Sequence, residues 1–437
     1  MRLLSTVALS LVAVTVALPA CSRPTSPEPM SNAQARPYPH EHERIGSPRQ
    51  IYDGALAPQL AVNTFRNAHR LFPTRTIPRS GAPFPLRRAN TRLESLVIRD
   101  GGNIYGLEDY LKLNRIAGLL VLQGDQIKLE RYRFGNSDRT RWLSMSIAKS
   151  VTSTLIGAAV KQGLIGSLAD PVVRYVPSLA GSAYEGVTVR DVLTMSSGVR
   201  WDETYRNPRS DRRHLLEAQI SQKPGSALAL LRDLPRVTTP GQVFNYSTGE
   251  AQVAAEILHG AVKTSLATYL WERIWNRFGM EDDATWWLES PAGIEVGGSG
   301  MSATLRDYGR FGLFLLSGTA KGDTILSYDW LRDATSAHTL RNGTEMTYGY
   351  FWWTPPSLAA QPPGGYAAKG LYGQGLYINP SLQVVIVVWS ARTKAAHEVV
   401  DDWAFFSAVV EALNQEAALP NQSNQTPSHT PSHTPSK

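Results

Sequence analysis

Cysteine is nearly absent from this chain, because Cys21 is the only one in 437 residues. A single thiol excludes an intramolecular disulfide, and no set of residues with zinc-ligand spacing appears. The formal net charge is +7, but the basic residues are dispersed, so the clustered stripe typical of a nucleic-acid-binding surface is missing. Gly-x-Ser-x-Gly is also absent, and this argues against an α/β-hydrolase although His259 and His397 invite a Ser-His-Asp triad.

An apolar run covers residues 3–18, which is too short for a transmembrane helix. It follows Met1-Arg2 and precedes Pro19-Ala20-Cys21, an order typical of a secretory signal. The last residues also resemble the lipobox of bacterial lipoproteins, in which the cysteine is lipidated. We therefore expect residues 1–21 to be a lipoprotein-type signal peptide. Cys21 would then anchor an exported protein to a membrane of the cell envelope or periplasm. The alternative is simple cleavage, with Cys21 as a spectator.

Composition divides the rest of the chain. Hydrophobic residues make up 42% and charged residues 19%, which is typical of a globular protein. Residues 22–50 are rich in proline, serine and charge and predict a flexible tether. Residues 416–437 contain a Thr-Pro-Ser-His repeat and predict a disordered tail. The folded domain should therefore cover residues 51–415.

Hydrophobic periodicity predicts the elements of this domain. Residues 118–132 read as two strands around a Gly-Asp turn, and a helix should follow Ser146. Helical patterns dominate the region 165–335, which we expect to be a mostly helical subdomain. Further strands are predicted at 367–372, 376–378 and 384–389, and a last helix at 399–413. Strands at both ends predict an α/β (α+β) fold, with one antiparallel sheet built from distant segments and flanked by helices.

Ser146 and Lys149 are the leading catalytic candidates. Residues three apart on a helix share one face, with about 5–6 Å between their Cβ atoms, so the amine can reach the hydroxyl. Ser146 lies at the start of a predicted buried helix, where unpaired N–H groups and the helix dipole favour negative charge. The alternative is a serine that caps a core helix while Lys149 reaches solvent.

A Ser-Lys nucleophile needs a third group to pass the proton to the leaving group. Tyr246 is the candidate, because it follows a Pro-Gly turn in the segment 244–250. A cationic lysine beside the phenol could lower its pKa enough for it to act as a base. Taken alone, Tyr246 reads as a packed surface tyrosine. Its order in the chain, after Ser-x-x-Lys and before a glycine-bearing strand, favours catalysis.

These motifs resemble the β-lactamase and penicillin-binding-protein superfamily of serine hydrolases. The resemblance is to the class C β-lactamase-like branch that contains family VIII esterases and 6-aminohexanoate-dimer hydrolase. It spans about residues 50–415 and rests on ordered stretches at 140–150, 193–199, 245–250, 297–312 and 348–353. The resemblance implies a β-lactamase/transpeptidase-like fold and a covalent acyl-enzyme, and it requires no metal or organic cofactor.

The resemblance also implies residue roles. Ser146 would be acylated, Lys149 would activate it, and Tyr246 would shuttle the proton. The third family motif falls on residues 368–370, so the oxyanion would bind the backbone N–H groups of Ser146 and Leu371. Gly370 would line the substrate site. One of the four tryptophans at 286, 287, 352 and 353 is expected to line an acyl pocket, and Trp353 is our choice.

Two departures from the family pattern bear on the substrate. Position 368 is alanine where β-lactamases and transpeptidases carry lysine or histidine, and position 248 is threonine where many relatives have asparagine. Lys369 cannot replace the missing cation, because neighbouring strand residues face opposite sides. We therefore expect hydrolysis of a small carboxylic ester or linear amide. Alternatives are a β-lactamase, a D-amino-acid peptidase, or a penicillin-binding sensor with little turnover. The sequence indicates no oligomeric state.

Overall fold

The computed structural model describes residues 37–89, 93–355, 364–393 and 398–418. Cys21, residues 22–36 of the expected tether and residues 419–437 of the expected tail lie outside these ranges. Within them, no helix is both long enough and apolar enough to cross a membrane.

The helices are α1 (Pro48–Asp53), α2 (Pro58–Arg66), α3 (Leu107–Leu113), α4 (Ile147–Lys161), α5 (Val189–Leu193), α6 (Asp211–Ser221), α7 (Ser226–Arg232), α8 (Thr248–Val262), α9 (Leu266–Leu270), α10 (Asn276–Phe278), α11 (Leu305–Ser317), α12 (Tyr328–Ala334) and α13 (Asp402–Ala418). The strands are β1 (Thr74–Ile77), β2 (Arg87–Arg88), β3 (Val97–Asp100), β4 (Asn103–Gly106), β5 (Ile116–Gln123), β6 (Gln126–Tyr132), β7 (Arg141–Leu143), β8 (Ala284–Trp287), β9 (Met301–Thr304), β10 (Thr319–Ala320), β11 (Asp323–Thr324), β12 (His338–Thr339), β13 (Glu345–Met346), β14 (Tyr366–Lys369), β15 (Gly375–Asn379) and β16 (Val384–Ser390).

The larger sheet joins strands from both ends of the chain in the order β14-β15-β16-β5-β6-β2. Its pairings are antiparallel, except that the short β2 runs parallel to β6. The β5–β6 hairpin closes through the predicted Gly124-Asp125 turn, and Gly124 has a φ of +54°. The prediction of an antiparallel sheet assembled from distant segments and flanked by helices is confirmed.

Both faces of this sheet are covered, and this explains the almost unbroken apolar runs in its central strands. Along β5, Leu119 and Val121 pack into a cluster with residues of α3 and α13, whereas Leu120 and Leu122 face the larger core on the opposite side. Helix α11 packs on that second side, against β5, β15 and β16. The sheet therefore sits between two helical layers.

A second sheet leads into the candidate nucleophile. It has the order β1-β8-β9-β7, and β7 ends three residues before Ser146. Strands β8 and β9 fall inside the region 165–335, where a helical subdomain is expected. Helices α5 to α10 lie within residues 189–278. The fully buried segments 284–287 and 301–304 form strands instead, and they pair with β1 and β7 respectively.

The described part of the expected tether packs on the domain. The Tyr38 hydroxyl donates to the Arg66 carbonyl oxygen at 2.6 Å, and His40 Nε2 lies 3.0 Å from Thr140 Oγ1. Glu43 pairs with the buried guanidinium of Arg66. Composition alone marks residues 37–50 as polar, but these side chains find partners on α2 and beside β7. These residues are therefore part of the folded domain, and the expected tether is shorter at its C-terminal end than composition predicts.

Candidate active site

Ser146 lies where β7 passes into α4, at the N-cap position of the helix. The preceding residue, Met145, has a φ of +45°, a left-handed conformation that costs a non-glycine residue about 1–3 kcal/mol. The Ser146 side chain makes no capping bond to α4. It is half-buried, and its hydroxyl oxygen accepts a hydrogen bond from Lys149 instead. This geometry contradicts the alternative of a capping serine.

Lys149 is buried beneath Ser146, with 1% of its surface exposed. Its Nζ lies 2.9 Å from Ser146 Oγ, 3.0 Å from Thr248 Oγ1 and 3.1 Å from the carbonyl oxygen of Gly298. Burial lowers the pKa of the Lys149 amine from 10.5 to about 7, because the charged form loses its hydration. A neutral amine is therefore available near pH 7 to accept the Ser146 proton.

Tyr246 lies just before α8 and completes the cluster. Lys149 Nζ is 5.2 Å from the centre of its ring, and the nearby Ser146 side chain acts to lower the pKa of its hydroxyl. Burial raises the pKa of Tyr246 well above its usual value, and the nearby Glu203 carboxylate raises it further. The expectation of a lowered phenol pKa is therefore wrong. Tyr246 is suited to donate and relay a proton as a phenol, and the Lys149 amine is the better base.

Gly370 brings the candidate oxyanion donor to the nucleophile. It follows β14, and a Cβ atom on it would lie only 2.8 Å from the carbonyl oxygen of Ser144. The Gly370 N–H donates to the Gln374 carbonyl oxygen at 2.7 Å and so fixes the turn. Among the described residues, no acceptor engages the backbone N–H of Ser146 or of Leu371. Both donors are free to bind an oxyanion.

Trp353 borders the cluster, unlike the other three tryptophans considered. Its ring stacks on Tyr246, with 5.6 Å between centres and 24° between planes, and lies 4.8 Å from the Tyr348 ring. It is half-buried, whereas the other three are at most 1% exposed and belong to the core: Trp286, Trp287 and Trp352. Trp353 can therefore contact both a bound substrate and Tyr246.

Positions 368 and 369 face opposite sides of β14, as the strand period requires. Ala368 packs in the larger core on the side of the nucleophile, while Lys369 Nζ lies 3.2 Å from Glu398 Oε1 and 3.9 Å from Asp402 Oδ2. Lys369 is thus paired with acidic residues on the opposite face of the sheet and adds no positive charge at the candidate site.

Glu203 is a residue that the sequence analysis missed. Its carboxylate accepts from the Thr248 hydroxyl at 2.6 Å, from the Thr248 N–H at 2.9 Å and from the Trp201 indole N–H. Thr248 also accepts from Lys149, so a single hydroxyl group and two hydrogen bonds link Glu203 to the Lys149 amine. Because 45 residues separate Glu203 from Thr248, no local spacing relates them.

Comparison with known proteins places the chain beside proteins of one family. The family model described as Beta-lactamase matches residues 109–409. The chain is 28% identical over 369 residues to the 6-aminohexanoate-dimer hydrolase of Paenarthrobacter ureafaciens, covering 78% of this chain and 90% of that protein.

Two solved structures show the same fold. A Bacillus anthracis protein described as a 6-aminohexanoate-dimer hydrolase aligns with a TM-score of 0.71 and 24% identity, over 82% of this chain and 94% of that one. A class C β-lactamase from Rhodobacter sphaeroides aligns with a TM-score of 0.51 and 18% identity, over 71% of this chain and 98% of that one. Since the family model also covers more than half of the residues, the chain belongs to the beta-lactamase family and is a serine hydrolase of that superfamily.

Proposed function

We propose that the protein hydrolyses small linear carboxylic amides or esters through an acyl-enzyme on Ser146. The observation that carries this proposal is the buried Lys149 amine, 2.9 Å from the Ser146 hydroxyl. Burial places the pKa of Lys149 at about 7, where an amine serves as a general base at neutral pH.

In the acylation step, the neutral Lys149 amine takes the Ser146 proton as Oγ attacks the substrate carbonyl carbon. The tetrahedral oxyanion binds the N–H groups of Ser146 and Leu371. Tyr246 then donates its phenolic proton to the leaving nitrogen or oxygen, and the Lys149 ammonium returns a proton to Tyr246. The carbon–nitrogen or carbon–oxygen bond breaks, which leaves the acyl group on Ser146.

Deacylation uses the same groups in reverse. Water replaces the leaving group and gives a proton to Tyr246, which passes it to Lys149 as the water oxygen attacks the acyl carbon. Lys149 then returns a proton to the departing Ser146 Oγ. The products are a carboxylic acid and an alcohol or amine, and the enzyme regains its starting protonation.

The substrate class follows from charge and from similarity. Ala368 offers no cation for the carboxylate of a penicillin, and Lys369 is held by Glu398 and Asp402. The Paenarthrobacter relative is named for hydrolysis of a 6-aminohexanoate dimer, whose units are joined by an amide bond. These two observations favour linear amides and simple esters over β-lactams.

The test is turnover of p-nitrophenyl butyrate and of the linear 6-aminohexanoate dimer by the purified full chain, beside its Ser146→Ala variant. We expect the native chain to hydrolyse both substrates and the variant to hydrolyse neither. Intact-mass measurement should detect an acyl adduct only on the native chain. Activity unchanged by Ser146→Ala would refute the mechanism.

Further outcomes separate the alternative functions. A persistent adduct with little product would favour a penicillin-binding sensor. Nitrocefin hydrolysis faster than ester or amide hydrolysis would favour a β-lactamase. Release of D-alanine from a D-alanyl-D-alanine peptide would favour a D-amino-acid peptidase.

We further propose that residues 1–21 direct export and that lipidated Cys21 anchors the protein to a membrane of the cell envelope. The lipobox-like order Leu18-Pro19-Ala20-Cys21 supports this proposal. Expression in a bacterium with radiolabelled palmitate, beside Cys21→Ser, should label only the native chain and place it in the membrane fraction. Absence of label from the native chain would contradict lipidation.

A further inference from the structure

A continuous hydrogen-bonded chain runs from the catalytic amine to a carboxylate. Lys149 Nζ lies 3.0 Å from Thr248 Oγ1, and that hydroxyl donates to Glu203 Oε1 at 2.6 Å. The other carboxylate oxygen, Oε2, accepts from the Thr248 N–H at 2.9 Å and from the Trp201 indole. Both oxygens are therefore engaged, and the carboxylate is held in one orientation relative to Lys149.

We propose that Glu203 is a positioning residue that acts through Thr248 on Lys149, and that it sets the pH below which the amine ceases to accept the Ser146 proton. This inference rests on the proposed function, because it concerns the same base. Glu203 need not touch the substrate in order to exert this effect.

The hydroxyl at position 248 makes the coupling directional. With its proton committed to Glu203, Thr248 Oγ1 presents lone pairs to Lys149 and stabilises the ammonium form. A carboxylate within about 6 Å adds a favourable charge interaction with that ammonium. Both effects oppose burial, which would otherwise lower the pKa of Lys149 further.

Other charged and titratable groups surround Lys149. Arg212 on α6 is buried beside Tyr52, and its positive charge lowers the pKa of Lys149. Burial raises the pKa values of three tyrosines near Glu203, so they remain neutral across the working range: Tyr205, Tyr246 and Tyr348. Glu203 is therefore the negative charge that offsets Arg212 at this amine.

Glu203→Gln should reverse the hydrogen-bond pattern. Its single carbonyl oxygen can still accept from Trp201 and the Thr248 N–H, which turns the amide NH₂ toward Thr248 Oγ1. The Thr248 hydroxyl would then donate to a neutral Lys149 amine. We expect the pKa of Lys149 to fall, so the acidic limb of kcat/KM should move to lower pH by about one unit or more.

The experiment measures the rate of Ser146 acylation by p-nitrophenyl butyrate from pH 4.5 to 9 in the full chain. Glu203→Gln is compared with Glu217→Gln, which neutralises an exposed carboxylate paired with Arg49 on the outside of α6. Of these two variants, only Glu203→Gln should displace the acidic limb. Thr248→Asn keeps an acceptor for Lys149 and a donor for Glu203, so the acidic limb should stay at the native pH. Thr248→Val removes the bridging hydroxyl, so the limb should move to lower pH.

The outcomes distinguish this inference from the proposed function. If the native chain shows no Ser146-dependent acylation, both the proposed function and the role of Glu203 are refuted. If the native chain is active and the limb is unmoved in Glu203→Gln, the positioning role is wrong and the function stands. Should Glu203→Gln fail to fold, the Thr248 variants decide the question, because an unmoved limb in Thr248→Val also overturns the coupling.

Discussion

Gly370 lies against the carbonyl oxygen of Ser144, two residues before the nucleophile. A Cβ atom at position 370 would approach that oxygen to 2.8 Å and Gln374 Oε1 to 2.6 Å. The close approach brings the end of β14 up to the turn that presents Ser146. The position of the Leu371 N–H therefore depends on the absence of a side chain at its neighbour.

Gly370→Ala should displace this turn and weaken oxyanion binding. Loss of one oxyanion donor typically costs about 10²–10³ in kcat, and we expect a fall of about 10²-fold in kcat for p-nitrophenyl butyrate. Steady-state kinetics of the variant test this. The matched control is Gly375→Ala on β15, where the nearest atom to the new Cβ is an ordinary 3.5 Å away, at Val388. Equal losses in both variants would contradict a specific role for Gly370.

Lys149→Met should remove the general base. We expect kcat/KM to fall by about 10³-fold, because general-base catalysis contributes about 10²–10⁴. In the native chain, kcat/KM should decrease below about pH 7, where the Lys149 amine becomes protonated. A pH profile of ester hydrolysis checks both statements. A native profile that stays flat from pH 5 to 9 would rule out Lys149 as the titrating base.

The same substitution should increase stability. Burial lowers the pKa of Lys149 in the folded chain to about 7 from 10.5, so the unfolded chain binds more protons between these pH values. Stability contributed by this residue therefore rises with pH across that window, and the cost of burying the amine is largest at its acidic end. At pH 7 we expect the thermal midpoint of Lys149→Met to exceed that of the native chain. A lower midpoint would contradict this explanation.

Lys369→Met should affect stability and leave chemistry intact. Lys369 lies between Glu398 and the buried carboxylate of Asp402, and its removal leaves both acids without this partner. We expect a loss of about 1–2 kcal/mol in unfolding free energy, reduced from the fully buried case because Lys369 is partly exposed. Urea unfolding measures the loss, and kcat/KM for the butyrate ester should stay within about twofold. A large drop in kcat/KM would mean that Lys369 serves the active site.

Local patterns in the sequence predicted the framework well. Alternating and continuous apolar runs located β5, β6, β15 and β16, and the pattern after Ser146 located α4. These elements are specified by residues close together in the chain. Ser146 and Lys149 were found for the same reason, since one helical turn brings them together.

Long-range contacts were the part that local patterns could not supply. Glu203 reaches Thr248 across 45 residues, and His40 reaches Thr140 across 100. The pKa of Tyr246 was predicted in the wrong direction, because proximity to Lys149 was visible and the burial of both groups was not. From sequence alone, such polar residues are interpreted as a tether or as surface residues, because their distant partners are not known.

A buried carboxyl group behind the site provides a separate test of these electrostatic arguments. Glu250 on α8 is 3% exposed, and its Oε1 accepts from Ser197 Oγ at 2.5 Å and from the Tyr184 hydroxyl at 3.2 Å. Its Oε2 has no partner among the described residues. Burial raises the pKa of Glu250 from 4.5 to about 8, so the carboxyl is protonated at neutral pH.

Glu250→Gln should therefore stabilise the protein at alkaline pH and have little effect at acidic pH. The folded native chain retains a proton that the unfolded chain releases between pH 4.5 and about 8, so native stability falls as pH rises through this window. Glutamine is neutral throughout and removes this dependence. Urea unfolding of both chains at pH 5 and pH 8.5 should give similar free energies at the lower pH and an advantage of about 2–4 kcal/mol for the variant at the higher pH. An advantage that is equal at both pH values would show that packing, rather than the Glu250 proton, is responsible.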